Sequence, residues 1–235
     1  MCVTQAKSRR VRQKYGVEVI AIPSGVEHPT SGDPEVVRAF GLEHGKYILN
    51  VARMVPEKRQ LDLIEAFEHA QAPGWKLVLV GELRAAGGYG EQVRVRAEAN
   101  ENIVCTGFQT GDALKGLLSN AGAFVLPSSH EGFPIAALEA MSHGLRVFAS
   151  DIVANRELCL PAARYFPLGD CERLAWLLDD VMRTGPDRHE AQAARRLVQE
   201  KYDWSKIAQA TLDVYRETVR PRSDKRHTTA SGGGA

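Results

Sequence analysis

The chain has 235 residues, enough for one large or two small domains. Hydrophobic residues make up 44% and charged residues 25%, and the formal net charge is +1, an ordinary globular composition with no general electrostatic case for nucleic acid or a membrane surface. No apolar run approaches the ~18 residues of a spanning helix and no signal peptide opens the chain, so the expectation is a soluble, cytoplasmic protein with no transmembrane segment.

Residues 1–16, MCVTQAKSRRVRQKYG, are basic, lack a strong apolar face and read as the end of something rather than the start of a domain. A strand is expected at 17–23 (VEVIAIP), followed by a turn-rich SGVEHPTSGDP and a short helix over 35–40. KYILNVAR is a near-continuous apolar run, the pattern of a strand buried on both faces of a parallel sheet. Residues 59–71 alternate at helical spacing, with Leu61, Ile64, Ala66 and Phe67 apolar. A buried strand follows at 76–80, then the glycine-rich loop ELRAAGGYGEQ and a helix near 92–99. A short strand is expected at 103–106, and Asp112 is expected to cap a helix running to Ser119.

The stretch AFVLPSS (123–129) reads as a buried strand ending in a turn, with EGFPIAALE (131–139) after it. Pro134 suits the first turn of a helix, where its missing N–H is not needed. The helix over 135–141 is apolar all round except for Glu139, a carboxylate that is costly to bury unless a donor reaches it. A strand at 145–150 follows, Tyr165 and Phe166 close the sheet, and from Asp170 the chain turns helical up to residue 220. The polar, glycine-rich tail 221–235 is expected to be disordered. Strands alternating with helices predict a doubly wound parallel α/β sheet with a C-terminal helical segment. The cysteines Cys2, Cys105, Cys159 and Cys171 show neither metal-ligand spacing nor a disulfide framework and read as reduced, mostly structural thiols.

In a sheet of this kind ligands bind beyond the carboxyl ends of the strands, so four corners are expected to face one crevice. They are Ser24-Gly25, the segment from Arg53 to Lys58, Thr106-Gly107-Phe108, and EGFPIAALE. Arg53 and Lys58 beside a helix N-terminus make a diphosphate clamp, or else two surface cations on an exposed loop. Gly107 permits close approach of a flat ligand, while Phe108 is equally a core aromatic. Glu131 and Glu139 are two acids held around one strand-to-helix corner, or else a solvated loop residue and a helix surface residue. His130 and His143 flank this motif, where a lone histidine is more often structural than catalytic, and neither is assigned a role.

The segments IPSGVE, NVARMVPEK, VGE, CTGF, VLPSSHEGFPIAALEAMSHG and RVFASD follow in this order between residues 22 and 151, and the likeness they carry extends over roughly residues 17–216. Together they resemble the C-terminal, nucleotide-sugar-binding domain of retaining GT-B glycosyltransferases of family 4, the glycosyl transferases group 1, which includes many bacterial polysaccharide and glycolipid enzymes. The resemblance implies a Rossmann-like half of a GT-B fold and transfer of a sugar, with retention, from a nucleoside-diphosphate sugar to an acceptor hydroxyl. It implies that Arg53 and Lys58 hold the donor diphosphate and stabilise the departing phosphate. By the same resemblance Glu131 approaches the sugar hydroxyls, and Glu139 accepts hydrogen bonds from the ribose. The backbone amides of Gly132 and Phe133 face sugar and phosphate, Gly107 and Phe108 lie at the base, and Gly25 is counted with the donor-binding residues. The nucleotide sugar is substrate; no cofactor and no metal are implied, and no Asp-x-Asp motif is present.

This sequence departs from the family pattern at Ser24, where Asn is usual, at Arg59, where Gly is usual, and at Arg146, where Pro is frequent. The resemblance also implies domain bounds: 1–16 as the hinge remnant of a missing N-terminal domain, 17–203 as the donor domain, 204–220 as a crossover helix and 221–235 as the tail. The acceptor site is then expected on that missing domain or on a partner chain, and any peripheral membrane contact with it. The alternatives are a non-catalytic nucleotide-sugar-binding module or subunit, and a GT-B epimerase or phosphorylase. A NAD-type Rossmann protein lacks support, because no G-x-G-x-x-G follows an early strand.

Overall fold

The computed structural model of the chain describes residues 1, 4–30, 32–70, 73–83 and 88–219. Cys2, Gln71, part of the glycine-rich loop, Arg220 and the tail 221–235 fall outside the described residues. Six parallel strands form one sheet: β1 (Tyr47–Val51), β2 (Lys76–Val80), β3 (Ile103–Gly107), β4 (Ala123–Leu126), β5 (Arg146–Ser150) and β6 (Tyr165–Phe166). Their order across the sheet is β3-β2-β1-β4-β5-β6. The chain winds outward from β1 in one direction, then returns to its other side with β4, which makes β1/β4 the switch point.

The apolar runs become strands because both of their faces are covered. Tyr47, Leu49, Val78, Phe124, Leu126 and Val147 pack into one layer with α2 (Pro34–Ala39), α5 (Gly111–Asn120), α6 (Ile135–Ser142) and α9 (Arg188–Lys201). The alternate residues Ile48, Leu77, Leu79, Val125 and Phe148 pack into the other with α3 (Gln60–His69), α4 (Tyr89–Glu98) and α8 (Cys171–Thr184). The alternation follows the pleat, which points successive side chains to opposite faces. Each fully buried Leu, Ile or Phe in these layers contributes about 1.5–3 kcal/mol.

Several expectations need correction. Residues 17–23 form no strand of the sheet, and Val17 and Ile20 are exposed. Ala21 holds a single bridge position, and Val26 makes an isolated parallel bridge to Asp203. Thr110, not Asp112, holds the cap position of α5; Asp112 lies in its first turn, where the helix dipole favours a carboxylate. Helix α3 starts at Gln60 because Arg59 adopts a left-handed conformation (φ 52), which accounts for the glycine usual at that position. Cys159 is exposed, whereas Cys105 and Cys171 are half-buried.

Two helices were not anticipated, α1 (Gln5–Tyr15) and the short α7 (Val153–Arg156). Helix α1 is capped by Thr4, whose hydroxyl accepts from the Lys7 amide at 3.0 Å, and ends at Gly16. It docks on the sheet domain through the Ala6 amide, which donates to the Glu157 carboxylate at 3.0 Å. The last helix, α10 (Trp204–Val219), buries Ile207 but leaves Leu212 and Tyr215 exposed. Among the described residues no helix is long and apolar enough to cross a membrane.

Candidate functional site

The crevice opens where β1 and β4 part. Their ladder holds only Ile48 against Ala123 and Leu49 against Phe124. Above it the buried Asn50 bridges the strands, its Nδ2 donating to the Val125 carbonyl at 2.9 Å. The loops leaving the two strands are then joined. The Ser129 amide donates to the Glu57 carbonyl at 2.8 Å, and the Ser129 hydroxyl to the same oxygen at 3.2 Å. A single 3₁₀ turn, Pro56–Lys58, ends at the left-handed Arg59 and presents Lys58 to the loop after β4.

There Lys58 Nζ lies 2.6 Å from Glu131 Oε1, with side-chain exposures of 15% and 7%. The two sequence candidates are thus a nearly buried ion pair. The Ser128 hydroxyl donates to the same Oε1 at 2.7 Å. From the other side, Lys7 of α1 donates to the Gly132 carbonyl at 3.2 Å. Lys7, Arg10, His130 and Glu131 line a cavity of about 380 Å³ beside the pair. The amides of Gly132 and Phe133 find no acceptor among the described residues.

A second cleft of about 440 Å³ lies along α6 and collects Ser24, Gly25, Glu27, Glu139 and Trp204. Gly25 sits at no strand end, contrary to expectation, but against the Trp204 indole, where an added Cβ would come within 2.6 Å of Cδ2. The Glu139 side chain is half-buried and has no donor among the described residues. Burial, and then the nearby Glu27 charge, raise its pKa above the ordinary glutamate value. Next to it, His143 shares a hydrogen bond with the Ser119 hydroxyl at 3.0 Å. Burial, followed by Arg195 and Lys115, lowers the His143 pKa to about 4.

The remaining candidates are not brought to the ion pair. Arg53 is 74% exposed, and the carboxylate it faces is Glu57, at 3.8 Å. Gly107 ends β3 with φ 72, which suits glycine, and Phe108 after it is 72% exposed rather than core. Phe133 packs on Tyr202 with ring centroids 5.9 Å apart. Arg146, where proline is frequent in the family pattern, ties β5 to α9 and to the end of α8, donating to Glu190 at 2.8 Å and to Thr184 at 3.1 Å. Sequence reasoning missed Ser128, although it stands in the PSS segment directly before the motif. It also missed Lys7, which reaches the site only because α1 folds back. Among the described residues no three metal-ligating side chains cluster.

A doubly wound parallel sheet with a charged pair at its switch point defines a Rossmann-like α/β protein. The sequence matches the family described as Glycosyl transferases group 1 over residues 34–198, and the chain belongs to that family. It is 32% identical over 187 residues to an uncharacterized glycosyltransferase of Methanocaldococcus jannaschii, covering 76% of this chain and 47% of that protein. The fold is similar to that of a glycosyltransferase from Rickettsia africae, with a TM-score of 0.84 at 19% identity over 93% of this chain and 63% of that one. It is likewise similar to Anabaena HepE, solved in complex with UDP and glucose, with a TM-score of 0.80 at 19% identity over 92% and 62%. The chain spans 47% of the curated relative and somewhat under two thirds of the two solved chains.

Proposed function

We propose that this chain is the donor-binding half of a retaining GT-B glycosyltransferase, one that acts in the cytoplasm on a nucleoside-diphosphate sugar. The observation that carries the reading is the Lys58–Glu131 pair, held at the switch point below two amides with no acceptor among the described residues. Lys58 meets the charge of the departing phosphate, and Arg53 is the outer cation that engages the diphosphate as it enters. Glu131 accepts from the sugar hydroxyls while its charge keeps Lys58 in place. Glu139, half-buried without a donor, accepts from the ribose hydroxyls. The diphosphate charge is met by side chains, with no metal ion assigned. Retention follows from assistance by the departing phosphate rather than from a carboxylate nucleophile. The HepE structure, which holds UDP and glucose on the same fold, supports the ligand class.

The acceptor hydroxyl is assigned to a second α/β half, in the same polypeptide or in a separate chain, since this chain spans only part of its relatives. Positioning that hydroxyl and excluding water are a large part of the rate. The test is calorimetry of the 1–235 chain with UDP, GDP, ADP and their hexose derivatives. Lys58→Ala is expected to weaken the best nucleoside diphosphate by about 1.5–3 kcal/mol. Glu139→Ala weakens nucleotides with or without sugar, and Glu131→Ala only the sugar-bearing ones. Binding of none of these ligands by the unaltered chain, or equal losses for both ligands in both glutamate variants, refutes the reading.

A further inference from the structure

Beneath the ion pair runs a line of polar side chains that the roles above do not use. The Ser128 hydroxyl donates to Glu131 Oε1 at 2.7 Å, and the Ser128 carbonyl accepts from the Ser150 hydroxyl at 2.5 Å. Asn155 Nδ2 lies 3.0 Å from both the carbonyl and the hydroxyl of Ser150. The Asn155 carbonyl in turn accepts from the Tyr165 hydroxyl at 3.1 Å. Ser128, Ser150 and Asn155 are all fully buried. Asn155 Oδ1 has no partner among the described residues.

A chain of buried polar groups is destabilising where it is incompletely satisfied, and small apolar residues would fill the same space without an unpaired acceptor. The line also follows a path with a purpose. It starts on α7, passes through the last residue of β5, and ends on the one carboxylate oxygen that also receives Lys58. We propose that Ser128, Ser150 and Asn155 are positioning residues that set the orientation of Glu131, and through it of Lys58, toward the donor sugar. The inference rests on the reading of Glu131 given above. The serine hydroxyl, already donating to Oε1, leaves the second oxygen to meet sugar hydroxyls, and the packed strands behind it keep the loop from relaxing. None of the three residues touches the ligand.

The test uses the 1–235 chain with UDP, UDP-glucose, GDP and GDP-mannose as probes, in calorimetry. Ser128→Ala removes one atom and keeps the carbonyl that Ser150 uses. It is expected to weaken whichever nucleotide sugar binds by about 3- to 10-fold, the scale of one ordinary hydrogen bond lost behind the carboxylate, and to change the matching nucleoside diphosphate by less than 2-fold. In a Glu131→Ala background the same substitution is expected to have no further effect, because Ser128 acts through that carboxylate. Ser150→Ala, one bond further back, shows the same pattern in smaller measure. Loss of sugar discrimination by Glu131→Ala together with wild-type binding by Ser128→Ala overturns the positioning role alone. Additive losses in the double variant also overturn it, since they show that Ser128 does not act through Glu131. Failure of the unaltered chain to bind any probe overturns both readings.

Discussion

Removing Lys58 tests whether the pair at the switch point is a structural contact. Glu131 is 7% exposed and Lys58 15%, so Lys58→Ala leaves a carboxylate inside with only the Ser128 hydroxyl for company. Breaking a buried pair from one side costs about 3–5 kcal/mol, and the remaining donor and partial hydration bring that to about 2–4 kcal/mol here. At about 2–4 °C per kcal/mol for a domain of this size, the melting temperature falls by roughly 4–16 °C. Glu131→Gln costs less, about 1–2 kcal/mol, because an amide still accepts from Ser128 and the lysine can reach water. Together the two changes cost less than their sum, with a coupling of about 1.5–3 kcal/mol. Urea unfolding of the four proteins, with the slope checked for constancy, measures it. A coupling below about 0.5 kcal/mol refutes the claim that the pair is a desolvated contact rather than two neighbouring surface charges.

Glu139→Gln is expected to stabilise the ligand-free chain at pH 7.5. Its carboxyl is raised by burial, so its favourable contribution is present below pH 4.5 and lost as pH rises through the folded value; the gain therefore vanishes in acid, which melting scans at both ends check. His143 works in the opposite direction. Held near pKa 4 against an ordinary 6.5, it favours folding above pH 6.5 and loses that contribution as pH falls toward 4. The distance between the two values caps the effect at about 3 kcal/mol, and partial exposure reduces it to about 1–2 kcal/mol, a pH dependence that His143→Gln should flatten in urea titrations. Gly25→Ala drives a methyl into the Trp204 indole and is expected to cost about 1–3 kcal/mol, with a changed Trp emission as the start of α10 shifts. An unchanged melting temperature would show that Trp204 moves aside freely.

The sheet was legible because its strands are buried on both faces, and apolar runs such as Tyr47–Val51 and Lys76–Val80 have no other place to go. The same signal misled at 17–23, where β-forming residues are present but no sheet edge receives them. Helix α1 was invisible because its docking comes from Glu157 and Gly132, more than a hundred positions away, and not from an apolar stripe of its own. Lys58 and Glu131 were each legible as corner residues, but their contact was not, because it spans 73 positions. Glu139 was legible as an acid on an apolar helix, and its missing donor was visible only in three dimensions. The serines and Asn155 gave no signal, since small polar residues at strand ends are common in any loop.

The position of β1 between β2 and β4 also sets the order in which the molecule assembles. β1, α3, β2, α4 and β3 form consecutive crossovers whose pairings are nearly local in the chain, so that half of the sheet is expected to close first. The other half begins with β4, which reaches β1 only after the intervening crossovers have been laid down. Lys58 therefore waits beside an open strand edge until the loop bearing Glu131 arrives. The pair is therefore expected to form in the step that joins the two halves of the sheet, so that slowing this step delays the crevice without delaying the first half of the fold.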